Sequence, residues 1–254
     1  MQILLADAKL MHQSADRESI STPLFQAEAD MLAAEMSRMT ADELQHQFGC
    51  GASAAEEARV RFARFATAKR MPAILAYNGQ AYKHLLANTL DAAALAYGQE
   101  HLWITSFLYG MLRPLDGIAP YRMEQGVTLE ATDDRPVSQW WRDRLTDRLI
   151  AAVKADDGVL LHLSTAEYQQ LFHWRRVEAE CRVVQPLFYV DTGRALKMQA
   201  VWAKSCRGAM TRYVLQNRLT SPDQLEAFTH EGFTYAATHG DPTHPYFLRH
   251  PALS

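Results

Sequence analysis

This sequence predicts a single compact α/β (mixed α+β) domain, a mixed sheet flanked by helices, and three observations carry the prediction. Short apolar runs of strand length alternate with segments whose apolar residues recur at helical spacing. Apolar residues make up 48% of the 254-residue chain, enough for a sizeable single core. No Pro/Ser/Gly-rich linker, low-complexity stretch or internal repeat interrupts it, so residues 1–254 read as one domain.

In chain order, the strand-like runs are Ile3–Ala6, Ala73–Tyr77, Leu102–Thr105, Val159–Leu163, Val183–Val190 and Ala200–Ala203. Their lengths and flanking turns suit strands, several of them buried on both faces. Helices fall between them. Thr40-Ala-Asp-Glu43 and Ser53-Ala-Ala-Glu56 have capping-box spacing, in which a hydroxyl and a glutamate satisfy reciprocal backbone donors. Ser138 precedes a segment with Trp141, Leu145, Leu149 and Val153 on one face, the pattern of an amphipathic helix. Ser221-Pro222 reads as the N-cap and first residue of a short helix that ends before Gly232.

Composition excludes several classes. No stretch of about 18 apolar residues is present to span a membrane. The N-terminus meets Asp7 too early for a secretory core and lacks a basic lead. Cys50, Cys181 and Cys206 are odd in number and lack CxxC spacing, which argues against a disulfide framework or thiolate zinc site. A cytoplasmic protein without a membrane partner is the expectation. Net charge is −3 and uneven: residues 1–58 hold ten acids against three bases, the rest nineteen against twenty-three. The basic excess leaves room for a local positive cleft.

The most informative stretch is Leu102–Glu130, where an apolar strand runs into a turn-rich loop carrying Arg113, Asp116, Tyr121, Arg122 and Glu124. Pro114 and Pro120 fix the backbone locally, and rigid polar loops on buried strands commonly hold binding or catalytic groups. Arg113 and Asp116 pairing with each other, or capping nearby backbone, is the competing reading. Lys204, Arg207, Arg212 and Arg218 put four cations in fifteen residues with no acid among them. Gly208 is expected to join strand to helix there, leaving a helix N-terminus beside Lys204 and Arg207 that favours an anion. Two helices over residues 204–232 would form a helix-hairpin-helix-like element, although the turn Leu219-Thr-Ser-Pro222 lacks the usual glycine.

Other groups carry two readings each. Lys9, at the end of the first strand, holds an anion, donates a proton or forms a surface ion pair. Glu167 and Tyr168 follow a strand where a ligand would meet the sheet's carboxyl edge, or Glu167 simply answers a helix dipole. Cys206 is a thiol activated beside Arg207 or a small buried filler. His230, His239, His244 and His250 crowd the tail without metal-ligand spacing, so no metal site and no cofactor are expected. P-loop, GxGxxG, HExxH and GxSxG patterns are absent.

Five ordered segments resemble the YaaA (DUF328/UPF0246) family. SFLYG…LRPLD…IAPYRMEQG is similar to the family's SGLYG…LRPLD…I.PYR.EMG. AILAYNGQAY (73–82), STAEYQQLF (164–172), AKSCRGAMTRYVLQNRL (203–219) and SPDQLEAFTHEGFTY (221–235) resemble its other elements. Ala6 and Asp7 stand where the family has Ser and Pro before the lysine, and Phe107 stands where it has Gly. Arg249 matches the family's FxR ending. The resemblance implies a bacterial peroxide-stress protein that limits DNA damage by lowering available iron, with DNA binding also attributed to the family. The leading reading is sequence-independent binding of DNA, or another phosphate-bearing ligand, through Lys9, Arg113, Arg122, Lys204, Arg207, Arg212, Arg218 and Arg249. The alternative is an enzyme of unassigned reaction acting on a small anionic or nucleotide- or purine-like substrate. Its catalytic candidates are Lys9, Tyr109, Asp116, Tyr121, Glu124, Glu167 and Tyr168. An open basic groove favours the first reading; a deep pocket lined by carboxylates favours the second.

Overall fold

The computed structural model describes residues 1–250. Its elements run β1 (Gln2–Ala6), α1 (Gln26–Met36), α2 (Ala41–Phe48), α3 (Ala52–Ala63), β2 (Met71–Pro72), α4 (Ala73–Ala76), α5 (Gln80–Leu85) and α6 (Ala92–His101). They continue with β3 (Leu102–Ser106), β4 (Gly110–Leu112), β5 (Gly117–Ile118), α7 (Val137–Ala155), β6 (Val159–His162), α8 (Ala166–Gln169) and α9 (Trp174–Glu180). The last are β7 (Arg182–Val184), β8 (Leu187–Asp191), β9 (Leu196–Lys197), α10 (Ala200–Asn217), β10 (Thr229–His230), β11 (Phe233–Gly240) and β12 (Pro245–Arg249).

The fold is mixed α/β, as the alternating pattern requires. Its main sheet has the order β4-β3-β1-β6-β7, and β1 lies parallel to both β3 and β6. β1 is buried on both faces, which is why Ile3, Leu4 and Leu5 form an unbroken apolar run. A second sheet, β10-β11-β12-β8-β9, is built from the C-terminal third, and β2 pairs β5. Among the described residues no helix is long and apolar enough to cross a membrane.

Several local expectations hold. Thr40 and Glu43 form the capping box of α2, and the α7 face of Trp141, Leu145, Leu149 and Val153 is fully buried. Ser221 caps its segment, with Gln224 reciprocating. Others need correction. Ala73–Ala76 is a helical turn rather than a strand: alanine favours helix, and the Ala73 and Ile74 amides donate to the carbonyls of Asp116 and Pro114. Val183–Val190 divides at Gln185-Pro186 into strands of different sheets. Ser53 caps nothing, because α3 already begins at Ala52 behind Gly51.

Ala200–Ala203 is the first turn of α10, not a strand. Gly208 therefore lies inside a continuous 18-residue helix rather than at its start. The glycine is there for close packing: a Cβ would sit 1.8 Å from the Ala81 carbonyl oxygen of α5. No helix N-terminus lies beside Arg207. After α10 the segment Pro222–Ala227 forms a 3-10 turn, so residues 204–232 contain one α-helix rather than a pair. Two α-helices joined by a tight glycine-bearing turn occur instead at α2 and α3, across Gly49-Cys50-Gly51.

Candidate functional site

The order of strands reverses about β1, since the chain reaches β3 on one side and later β6 on the other. Such a reversal opens a crevice at the carboxyl ends of the strands. Asp7 follows β1 into that crevice, and Ser164 and Thr165 follow β6. The amide of Asp7 still bonds the Thr105 carbonyl at 3.0 Å, so the strand geometry fixes where its carboxylate points. The start of α5 closes one wall, and it packs so tightly that a Cβ on Gly79 would come within 2.6 Å of the Ala8 Cβ.

Asp7 accepts hydrogen bonds from two phenols. Tyr121 Oη donates to Oδ2 at 2.5 Å, and Tyr168 Oη makes a short bond to Oδ1. Having given its only proton to Asp7, Tyr121 Oη accepts from Tyr77 Oη at 2.9 Å and Ser106 Oγ at 2.6 Å. Ser106 Oγ in turn accepts the Leu108 and Tyr109 amides, tying the network to the turn after β3. Tyr82 Oη bonds the Ala6 carbonyl at 2.9 Å. Phe107 stacks on the Tyr168 ring at 4.5 Å between centroids.

Burial pushes the Asp7 carboxyl up to about 6. The hydrogen bonds from Tyr121 and Tyr168 pull against burial, while Glu167 and Glu124 reinforce it. As a residue Asp7 keeps partial exposure, and that exposure is to the crevice. Tyr77, Tyr82, Tyr121 and Tyr168 are held well above the ordinary phenol range, chiefly by burial, so they remain hydrogen-bond donors.

The crevice opens into a cavity of about 300 Å³ lined by Leu5–Leu10, Gly79–Tyr82, Leu163, Thr165, Glu167, Tyr168, Lys204 and Arg207. Lys204 and Arg207 stand one turn apart on α10. The Arg207 guanidinium is largely withdrawn from solvent, and burial lowers its pKa. Neither it nor Lys204 has an ion-paired carboxylate among the described residues. Thr165 Oγ1 is buried without a hydrogen-bond partner. A half-buried cation and an orphaned hydroxyl face one cavity, an arrangement chemically able to hold an anion.

Other candidates lie at its rim or elsewhere. Lys9 Nζ and Arg122 Nη2 both bind Glu124, at 2.5 and 2.8 Å, with Lys9 also lining the cavity. Tyr109 sits behind the phenol cluster, its hydroxyl accepting from Arg70 and the Ala119 amide. Arg113 and Asp116 do not reach the site. β4 runs antiparallel to β3, so the chain leaving it emerges level with the beginning of β3. There Arg113 stacks on Trp103 at 3.3 Å and bonds the Leu102 carbonyl, and burial brings its pKa down to about 10. Asp116 accepts the Arg113 amide and the Ser21 hydroxyl, the loop-capping role open to it from sequence.

Arg212 binds the Leu85 and Leu86 carbonyls and Thr89 Oγ1, fastening the end of α5. Arg218 is the exposed left-handed cap of α10, about 16 Å along the helix from Arg207. Arg249 lies over Trp202 at 4.2 Å, away from the cavity lining. Cys206 is fully buried with its thiol pushed up to about 12 by burial, the small-filler alternative. Sequence reasoning gave no site role to Asp7, Tyr77, Tyr82, Ser106 or Thr165. The available signal was an acidic residue ending a fully apolar strand, where an exposed carboxylate has no reason to sit.

A family model described as "Peroxide stress protein YaaA" matches residues 1–239. Similar chains include a UPF0246 protein of Phocaeicola vulgatus, 40% identical over 89% of this chain and 90% of its own length. One from Bacteroides thetaiotaomicron is also 40% identical, over 92% and 93%. One from Ruegeria pomeroyi is 35% identical over 98% of both chains.

Proposed function

The chain belongs to the YaaA family of peroxide stress proteins, and from that premise and the Asp7 cavity we propose that it binds a small anionic, nucleotide-like ligand and acts on it by acid–base catalysis. One observation carries the reading: a largely buried, unpaired guanidinium and a carboxyl with a pKa of about 6 face the same 300 Å³ cavity. Arg207 holds the anionic group at depth, Lys204 meets it from the exposed side, and Thr165 Oγ1 supplies a hydrogen bond. Asp7 then exchanges a proton with the ligand near neutral pH, where a carboxyl so tuned is populated in both forms. Tyr168 and Tyr121 hold its oxygens in place. Lys9 and Glu124 form a charged rim through which the ligand passes.

Calorimetric titration with inorganic phosphate, pyrophosphate and a panel of purine and pyrimidine nucleotides tests this. Binding by the wild type and its loss in Arg207→Gln support the reading. Silence across the panel, or undiminished binding by Arg207→Gln, sinks it.

Duplex DNA is the second reading. Lys204 and Arg218 favour it, being exposed at positions about 21 Å apart along α10 with no carboxylate partner among the described residues. Segment 204–232 would then follow the phosphate backbone without reading bases. Such binding falls steeply with salt and is halved or worse by Lys204→Ala/Arg218→Ala. Binding of nucleotides but not of duplex at low salt excludes it.

A further inference from the structure

We infer that His84, His230 and Glu231 form a binding site for a first-row divalent transition ion. The three residues come from separate parts of the chain. His84 is in the last turn of α5, His230 ends β10, and Glu231 begins the two-residue hairpin turn to β11. One ligating atom from each lies within 4.8 Å of the other two.

The distances are those of a metal's first coordination sphere. Tetrahedral ligands at zinc-type bond lengths of about 2.1 Å stand about 3.4 Å apart. His84 Nδ1 and His230 Nε2 are separated by 3.1 Å, and His230 Nε2 is 3.7 Å from Glu231 Oε2. The imidazoles meet edge to face at 85° rather than stacking, with His84 Nδ1 and His230 Nε2 as the facing atoms. Two imidazoles and one carboxylate suit zinc, iron(II) or cobalt(II), and three protein ligands leave a coordination position open.

The surroundings favour this use. Glu231 has φ of +48°, a left-handed backbone unfavourable for glutamate, followed by Gly232 at +84°. Asparagine or glycine would fit the first position of such a hairpin turn better, so the carboxylate has a reason to be there other than the turn. Gln80, one turn before His84, contacts His84 Nε2 at 3.2 Å and Ser205 Oγ at 2.9 Å. It fixes the ring on the side away from the ion, the usual arrangement behind a ligating histidine. When the ion enters, the proton shared between His84 Nδ1 and His230 Nε2 moves by way of solvent to His84 Nε2, where Gln80 Oε1 accepts it after the amide turns. His239 and His244 are on the exposed β11–β12 hairpin and do not join this group.

The test uses the full chain, stripped of metal with a chelator and titrated with Co²⁺ under visible absorption, then with Zn²⁺ in competition. Expected are ligand-field bands saturating at one ion per chain, displaced by Zn²⁺. Glu231→Gln and His84→Gln should each weaken binding by at least about ten-fold. Neither side chain is part of the buried core, and melting curves of the metal-free variants verify their fold. His244→Ala should leave the titration unchanged. No cobalt spectrum, binding retained in both ligand variants, or binding lost in His244→Ala overturns the assignment.

Discussion

Replacing Asp7 by asparagine isolates the property on which the proposed chemistry depends. The carboxyl rises from its ordinary 3.8 to about 6 on folding, because burial among Tyr77, Tyr82, Tyr121 and Tyr168 disfavours its charge. Glu167 and Glu124 add repulsion, and the Lys9, Lys204 and Arg207 cations bordering the same cavity do not reverse the direction. A carboxyl whose folded pKa is raised binds more protons folded than unfolded between those two values. Stability therefore falls as pH rises through that window, and the full cost is felt above pH 6. Two pKa units correspond to about 3 kcal/mol, an upper limit here because the cavity admits water. The carboxamide of the variant cannot ionise and keeps one acceptor for a phenol. Asp7→Asn should match wild type near pH 4 and exceed it at pH 8 by up to about 3 kcal/mol, or roughly 6–12 °C in Tm. Urea denaturation of both proteins from pH 4 to pH 8 reads this directly. A stability difference that stays constant with pH refutes the raised carboxyl, and with it Asp7 as a proton-exchanging group.

Tyr168→Phe removes a hydrogen bond that lowers the Asp7 pKa, so the carboxyl should titrate above 6 in the variant, read from its ¹³C chemical shift; an unchanged midpoint contradicts the assigned network. Gly208→Ala forces a methyl against the Ala81 carbonyl and should cost several kcal/mol in urea denaturation, whereas alanine would stabilise the helix if this glycine were merely a weak helix residue. Arg212→Ala should destabilise by about 2 kcal/mol through the loss of the three contacts its Nη1 makes at the end of α5 while leaving nucleotide affinity intact; the reverse pattern would return Arg212 to the anion site.

Strands β1, β3 and β6 of the main sheet were legible because they are mostly buried and carry apolar runs, whereas the edge strand β4 was not anticipated and β7 was merged with β8 across Gln185-Pro186. Errors arose where short apolar runs serve another purpose. Ala73–Ala76 and Ala200–Ala203 have strand-like composition, but backbone partners in the first case and a continuing helical pattern in the second decide the outcome. Gly208 looked like a boundary because sequence alone does not distinguish a glycine that ends a helix from one that lets a neighbouring backbone approach. Site residues divide similarly. Tyr121, Glu167, Tyr168, Lys204 and Arg207 gather because they follow strand ends or lie on the helix covering them. Arg113 and Asp116 share the loop with Tyr121 yet serve the opposite edge of the sheet, since β4 reverses direction between them and the site. That reversal spans only Phe107–Tyr109, too short for periodicity to reveal.

Two departures from the family pattern meet at one side chain. Asp7, where the pattern has proline, bonds the Tyr168 hydroxyl; Phe107, where it has glycine, stacks on the Tyr168 ring. Proline offers no carboxylate and glycine no ring, so a chain with the usual pair would leave Tyr168 without either contact. The two substitutions act on one tyrosine from its two ends, and each would be of little use to the site alone: an unanchored phenol would not hold the carboxylate, and a stacked ring without Asp7 would bring no titratable proton to the cavity. Lys204 and Arg207 of α10 match the family pattern. A reading in which Phe107 acts on Asp7 through Tyr168 predicts non-additivity. Phe107→Gly should raise the Asp7 pKa in wild type by loosening the Tyr168 bond, and should have no effect on binding or stability-versus-pH slope in the Asp7→Asn background. Additive effects of the two changes on that slope would show that Phe107 fills space and nothing more.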